Sequence, residues 1–138
     1  MKYLLDTNIV SEPIKARPHV NVVERLRIYG EECAIGSPVW HELRFGVLRL
    51  TSSRRRQTLE RYLEEVVRAA YPILPYDDAC AEWHARERAR LERAGRPTAW
   101  VDGAIAAIAA VSGAVLVTSN VRDFRAFRGV RIVDWSRS

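Results

Sequence analysis

The stretch KYLLDTN, residues 2–8, decides the fold. Its large apolar residues follow one another without polar alternation, which predicts a strand buried on both faces, as in a parallel sheet covered by helices. Asp6 ends this strand, and ligands of open α/β sheets bind beyond the carboxyl ends of the strands. Thr7 and Asn8 are short hydrogen-bonding residues of the kind that begin turns and helices. The chain therefore begins with a core strand that delivers one carboxylate to a site.

The composition is that of a folded domain. The chain has 138 residues, of which 48% are apolar and 28% charged, which suits one domain over residues 1–138 with a hydrophobic core. No apolar run approaches the roughly 20 residues of a membrane helix, and the N-terminal segment is too short for a signal peptide. We therefore expect a cytoplasmic protein that does not associate with membranes.

The basic residues are strongly biased toward arginine. The formal net charge is +5, and only Lys2 and Lys15 among the 22 basic residues are lysines. Guanidinium groups grip phosphate with two parallel donors, so a basic domain favours a polyanionic partner such as nucleic acid. A biased genomic base composition produces the same excess of arginine, so charge alone adds little.

Strand and helix patterns alternate along the chain. Strands are predicted at residues 3–6, 33–37, 72–75, 114–118 and 130–133, and two prolines place the third at a sheet edge. The predicted helices include one that begins at Pro38 with Ser37 as its cap, one that runs from Ser53 to about Ala70, and one over residues 101–112. The alternation predicts a three-layer α/β/α fold with a central, mainly parallel sheet of about five strands.

Four acidic residues occupy positions where solvated acids are not expected. Asp6 ends the first strand, Glu42 lies on the helix after the second, Asp102 opens the most apolar helix, and Asp123 follows the fourth strand. Because the segments that come after parallel strands converge at one edge, we expect Asp6 and Asp123 to meet there, with Asp102 entering from its helix start. A carboxylate beside an apolar core is unfavourable unless it is paired or binds metal.

A divalent cation is the simplest way to tolerate such a cluster, since close carboxylates repel by roughly 4 kcal/mol per pair at an effective dielectric of 20. Oxygen ligands indicate Mg²⁺ or Mn²⁺, and the cysteines lack the spacing of a zinc site. Such cations support phosphodiester hydrolysis. Taken singly, each acid also has a simpler explanation: Asp6 and Asp123 as turn caps, Asp102 as a first-turn acid favoured by the helix dipole, and Glu42 as a surface residue.

An ordered set of motifs resembles a known family. The motifs are LLDTN (residues 4–8), SPVWHEL (37–43), GRP (95–97) leading to Asp102 and IAA (105–107), and VTSNVRDF (117–124). Each motif is weak alone. Together and in this order they are similar to PIN-domain ribonucleases, in particular to the VapC-type toxins of type II toxin–antitoxin systems and their FitB-like branch. The resemblance covers nearly the whole chain.

The resemblance implies a small α/β/α nuclease with Mg²⁺ or Mn²⁺ in an acidic pocket. Asp6, Glu42 and Asp102 match the metal-pocket acids of the family, and Asp123 matches a fourth acid that often acts through water. Three further positions match polar side chains that orient the acids or the attacking water: Asn8, Thr118 and Asn120. Ser119 stands where many members have arginine, which removes one phosphate contact.

The resemblance also implies partners. They are an RNA substrate, a cognate VapB-like antitoxin whose C-terminal segment covers the pocket, and a second copy of the chain in a homodimer or in a toxin–antitoxin hetero-oligomer. Among the arginines, Arg96, beside the turn that leads to Asp102, and Arg122 are the predicted contacts to RNA phosphate.

Two other functions are compatible with parts of the pattern. The first is a non-catalytic module of the same fold whose acidic pocket binds a basic partner peptide. The second is another phosphate enzyme, which fits less well: haloacid-dehalogenase-type enzymes need a second acid where Asn8 stands, and phosphate-receiver domains need a downstream lysine that the chain lacks.

Overall fold

Five short strands and a series of helices alternate along residues 1–137, the part of the chain that the computed structural model describes. The strands are β1 (Tyr3–Leu5), β2 (Cys33–Gly36), β3 (Ile73–Leu74), β4 (Val115–Val117) and β5 (Ile132–Val133). The longer helices are α2 (Val20–Tyr29), α3 (Ser37–Leu48), α4 (Arg54–Arg61), α6 (Asp78–Arg93) and α7 (Trp100–Ser112), and the short ones are α1 (Thr7–Val10), α5 (Arg68–Ala70) and α8 (Val121–Phe124). Within residues 1–137, no helix is both long and apolar enough to cross a membrane.

The strands form one sheet in the order β3-β2-β1-β4-β5, and every pairing is parallel. β1 lies at the centre, where Leu4 pairs with Ala34 on one side and with Leu116 on the other. Leu4 and Leu5 are completely buried, as the unbroken apolar run predicts. The predicted three-layer α/β/α fold with a parallel sheet is therefore confirmed, and the proline-flanked third strand lies at an edge.

The strand order creates a switch point beside β1. From β1 the chain proceeds to β2 and β3 on one side, and it later returns to place β4 on the other side. Asp6 directly succeeds β1 and Thr118 directly succeeds β4, so both lie at the carboxyl edge of the sheet, where this topology opens a crevice. Helix α7 ends at Gly113, which has a left-handed φ of 71° and leads into β4. The first turn of α7, with Asp102, therefore lies at the same edge.

The cap of α3 differs from the prediction. The residue that precedes the helix is Gly36, whose backbone is extended, and Ser37 and Pro38 are the first two helical residues. The Ser37 hydroxyl instead accepts a hydrogen bond of 3.2 Å from the backbone N–H of Tyr76, which ties the start of α3 to the segment after β3. The prediction was wrong by one residue, because Gly36 is the last extended residue and the backbone is already helical at Ser37.

The helix predicted from Ser53 to about Ala70 is interrupted. Ser53 caps α4 as expected, since its side chain accepts from the Arg56 N–H, but residues Tyr62–Val67 form a π-helical segment before α5. Leu63 and Val67 of this segment are buried, and the Tyr62 hydroxyl donates to the carbonyl oxygen of Val10 at 2.6 Å. The apolar periodicity predicts which residues are buried, whereas it does not distinguish an α turn from the wider π turn.

Helices α6 and α7 approach closely because α7 presents small residues. Its segment from Gly103 to Ala109 is completely or almost completely buried. A Cβ atom built on Gly103 would lie 2.2 Å from Nε2 of His84, a buried α6 residue whose Nδ1 lies 2.9 Å from the Tyr76 hydroxyl oxygen. The imidazole therefore occupies the space that a glycine leaves at the start of α7.

This contact predicts that Gly103→Ala destabilises the protein by about 1–3 kcal/mol, because a methyl group must displace a buried, hydrogen-bonded ring. The matched control is Gly46→Ala on α3, where nothing lies within 4 Å of the added Cβ and a gain of up to about 1 kcal/mol is expected. Urea unfolding of both variants provides the measurement. Equal stability of the two alanine variants would contradict the close packing of His84 on Gly103.

Candidate active site

Asp6 is buried at the end of the central strand and is held by three donors. Its Oδ1 accepts from the Thr7 N–H at 2.8 Å, and its Oδ2 accepts from the Asn8 side-chain amide at 3.2 Å and from the Thr118 hydroxyl at 2.8 Å. The residue is only 6% exposed. Burial raises the pKa of its carboxyl above the ordinary value, and the three hydrogen bonds oppose that rise. Asp6 caps α1 and at the same time presents a fixed carboxylate to the crevice.

The loop after β4 supports this carboxylate. Thr118 is fully buried, and while its hydroxyl donates to Asp6 it accepts from the Asn120 N–H at 3.0 Å. Asn8 accepts from the Ser119 N–H at 3.2 Å, so its amide links the segment after β1 to the segment after β4. The side chains of Asn8 and Thr118 thus both contact the Asp6 carboxylate, whereas Asn120 contributes backbone groups.

Glu42 joins the site through a residue that the sequence analysis did not assign to it. The Thr7 hydroxyl donates to Glu42 Oε2 at 3.1 Å, which connects the second turn of α3 to the residue directly after Asp6. Glu42 is half-buried rather than a free surface acid. The position of Thr7 next to Asp6, in the turn after β1, could have indicated that Thr7 belongs to the site. The sequence alone does not show which acid its hydroxyl contacts.

Asp102 and Asp123 complete the group of four acids, which we call the acidic cluster (Asp6, Glu42, Asp102 and Asp123). Burial and the negative charges of the other three members raise the pKa of Asp102 to about 6. Asp123 is exposed on α8, and its N–H donates to the Asn120 carbonyl at 3.0 Å. Four carboxylates from separate segments therefore act on one another electrostatically.

The acidic cluster has no basic partner among residues 1–137. Eight ion pairs are present there, and all of them use acids outside the cluster. In the same part of the chain, no three His, Cys, Asp or Glu side chains already form a group that could hold a metal ion, and both cysteines are buried and unpaired. The cluster thus has the all-oxygen donors that a hard cation prefers, without an assembled coordination shell.

The two predicted phosphate contacts occupy different surroundings. Arg96 is exposed in the connection between α6 and α7, and its backbone N–H donates to the Leu91 carbonyl at 2.8 Å. Arg122 is exposed on α8, next to Asp123, and lines a polar cleft at this end of the sheet. Of the two, Arg122 is the one that directly borders the acidic cluster.

Comparison with known proteins identifies the family. The family model described as "PIN domain" matches residues 3–130. The chain belongs to the PIN-domain family. It is 34% identical over 137 residues to the tRNA(fMet)-specific endonuclease VapC of Shigella flexneri, with 99% of each chain covered.

Two solved structures extend this comparison of the PIN domain. FitAcB from Neisseria gonorrhoeae superposes with a TM-score of 0.91 at 29% identity and 99% coverage of both chains. VapBC-5 from Mycobacterium tuberculosis, a member of the VapBC family of toxin–antitoxin systems, gives a TM-score of 0.70 at 29% identity and 96% coverage of both. The resemblance to VapC- and FitB-type proteins that the motifs indicate is confirmed.

Removal of the Thr118 hydroxyl tests how Asp6 is held in this PIN domain. We expect Thr118→Val to lower the free energy of unfolding by about 1.5–3 kcal/mol at pH 7, since a buried carboxylate loses one of its three donors. Thr118→Ser, which keeps the hydroxyl, is the control. Chemical denaturation in EDTA is the measurement, and a Val variant as stable as the Ser variant would show that the hydrogen bond does not support Asp6.

The raised pKa of Asp102 leads to a pH-dependent prediction. Because the folded pKa of about 6 exceeds the ordinary value of 3.8, ionised Asp102 destabilises the metal-free fold, with a penalty that is absent below pH 3.8 and complete above pH 6. Asp102→Asn should therefore stabilise the protein at pH 7, by about 1 kcal/mol once solvent screening of a half-buried group is allowed for.

Thermal unfolding in EDTA between pH 4 and pH 7.5 measures this effect. The control is Asp78→Asn, which removes an exposed first-turn acid from α6 and should cost a few tenths of a kcal/mol. A stability gain for Asp102→Asn that does not shrink toward pH 4 would rule out the repulsion as its cause.

Proposed function

We propose that this chain is a divalent-cation-dependent endoribonuclease toxin, with Mg²⁺ or Mn²⁺ as the cation, that a partner antitoxin neutralises. The observation that carries the proposal is the acidic cluster, in which four carboxylates act on one another and have no basic partner among residues 1–137. A cation supplies the missing positive charge. The endonuclease relative from Shigella flexneri supports nuclease chemistry.

Each member of the cluster has a role in this proposal. Asp6, Glu42 and Asp102 would hold the cation, and Asp123 would support it as the fourth acid. Asp6 is the fixed ligand because its donors orient it, whereas Asp123 is exposed and the other two are half-buried, so their side chains can turn toward a cation. A cation held there would supply a more acidic water molecule and positive charge beside the phosphate. Thr118, which is buried, and Asn8, which is half-buried, keep the Asp6 carboxylate aimed at that position.

The positive net charge and the similarity to a tRNA endonuclease both favour RNA as the substrate. The formal net charge of +5 attracts a polyanion, although the acidic cluster itself repels phosphate until a cation is bound. The relative from Shigella flexneri is named a tRNA(fMet)-specific endonuclease, which makes tRNA the first substrate to test. Arg122, on α8 next to Asp123, contacts the RNA phosphate in this proposal.

An apolar groove beside the cluster suits an antitoxin segment. A cavity of about 240 Å³ is lined by Thr7 and Glu42 and by apolar residues of α3 and the π-helical segment, among them Leu43, Val47 and Leu63. An antitoxin that places apolar side chains in this groove brings its next residues to Glu42, where a basic side chain can neutralise the cluster. The toxin–antitoxin relatives support such a partner.

Asp6→Asn is the decisive variant because it keeps the size of the side chain and removes its charge, together with the acceptor at one of the two oxygen positions. We expect it to abolish Mn²⁺ binding by isothermal titration and to lower tRNA cleavage by roughly 100-fold or more, since loss of a supporting residue around a metal already costs 10–100-fold. Asp78→Asn, at an exposed position on α6, is the matched control and should leave both signals unchanged.

Two results would argue against the proposal. Full cleavage by Asp6→Asn would reject the mechanism. A folded wild-type chain that gives no Mn²⁺ signal, cuts no RNA and yet binds a basic peptide would favour the non-catalytic module.

A further inference from the structure

A second charged feature lies directly beside the acidic cluster. It is a polar cleft of about 540 Å³, which we call the arginine cleft, and the guanidinium side chains that line it are Arg122, Arg125 and Arg137. Asp123, a member of the acidic cluster, lines the same cleft, so the two features share a boundary. A substrate whose reacting phosphate is bound by the acids therefore has this cleft directly beside it.

Arg122 and Arg125 are set up to bind an anion that is not part of the protein. They are three residues apart at α8, so they project from neighbouring positions on one side of this turn, and both are exposed. Within residues 1–137 neither of them takes part in an ion pair, whereas arginines such as Arg56 and Arg90 contact a glutamate at 3.1 Å and 2.7 Å. Their charge is therefore not matched by the fold.

The remaining charges of the cleft do not cancel these two arginines. Asp134 accepts from the Ser136 N–H at 2.9 Å and from its hydroxyl at 2.6 Å, and its other oxygen lies 3.6 Å from Nε of Arg137. Asp134 and Arg137 thus form a local pair. Asp123 belongs to the acidic cluster, where a bound cation offsets its charge in the proposed function. Two guanidinium groups are left over.

We propose that the arginine cleft binds the backbone of single-stranded RNA, with Arg122 and Arg125 contacting phosphates next to the one that is cut. The inference rests on the proposed function, because the acidic cluster defines where the cut phosphate lies. A strand that crosses from the cluster past Asp123 places its next phosphates at α8, and guanidinium groups grip phosphate with two donors each. Arg125 thereby joins Arg122 as a contact to the substrate, and the cleft sets the path of the strand.

The test measures RNA binding apart from cleavage. A fluorescent 12-nucleotide single-stranded RNA is titrated with the Asp6→Asn protein in EDTA at 50–300 mM KCl, and fluorescence anisotropy gives the dissociation constant. For single strands, a plot of log association constant against log salt concentration becomes less steep by about 0.7 for each lost phosphate contact. Near 0.15 M salt, this corresponds to a roughly fourfold loss of affinity. We expect that change for Arg125→Gln and twice that change in slope for Arg122→Gln combined with Arg125→Gln.

Two controls separate a specific contact from lost net charge. Arg125→Lys keeps the charge and should keep the slope, and Arg86→Gln removes an exposed arginine of α6 that lies 3.6 Å from Glu82 and should leave the slope unchanged. Competition with 10 mM inorganic phosphate should not displace the RNA, because a free ion offers only one of the contacts. Displacement by phosphate at that concentration would point to a simple anion site and overturn the proposal.

The remaining outcomes also decide the matter. If Arg125→Gln behaves like Arg86→Gln, or if the RNA binds neither the Asp6→Asn protein in EDTA at 50 mM KCl nor the wild-type chain with Ca²⁺ present, the arginine cleft is not the path of the strand. Cleavage of tRNA by the wild-type chain, assayed separately, reports on the proposed function. If the wild-type chain cleaves tRNA but Arg125→Gln does not change the affinity for RNA, the arginine cleft proposal is rejected and the proposed function is not.

Discussion

The structure of the site depends on holding one carboxylate in place at the buried end of the central strand. Burial alone pushes the Asp6 carboxyl toward its neutral form, and the donors from Thr7, Asn8 and Thr118 push it back. Two of these donors come from the turn after β1 and one comes from the loop after β4. The carboxylate is therefore stable only if the two segments beside the topological switch point are held together.

At this edge of the sheet, backbone and side-chain hydrogen bonds join the same two segments, as that constraint requires. The Asp6 N–H donates to the Val117 carbonyl at 2.9 Å, which extends the pairing of β1 with β4 by one residue, and the Thr118 hydroxyl then reaches the Asp6 side chain. The parallel sheet thus fixes both ends of the interaction. Asp102 arrives at the same edge because α7 must run back to the start of β4, so topology rather than local sequence brings the acids together.

The sequence predicted the features that burial and topology determine, and it failed where the outcome depends on local geometry. The unbroken apolar run identified β1. Asp6 was identified as a site residue because a carboxylate directly after a buried strand is unfavourable without a partner. Two predictions failed because they depend on local backbone angles, which apolar periodicity does not encode. They are the helix cap at Ser37 and the uninterrupted α-helix through Tyr62–Val67. Thr7 was missed for a related reason, since its contact with Glu42 joins residues 35 positions apart.

The close neighbourhood of the acidic cluster and the arginine cleft matches the needs of a nuclease that binds a polyanion. An uncompensated acidic cluster repels the RNA, and a site made only of arginines binds it without recruiting a cation. Asp123 and Arg122 are adjacent in the chain, so α8 contributes to both features from one short helix. In the proposed function, a bound cation would offset the cluster's charge, so that the cluster would no longer oppose the phosphates that the arginines attract. Binding of the cation and binding of the strand should then reinforce each other, because each reduces the charge that opposes the other.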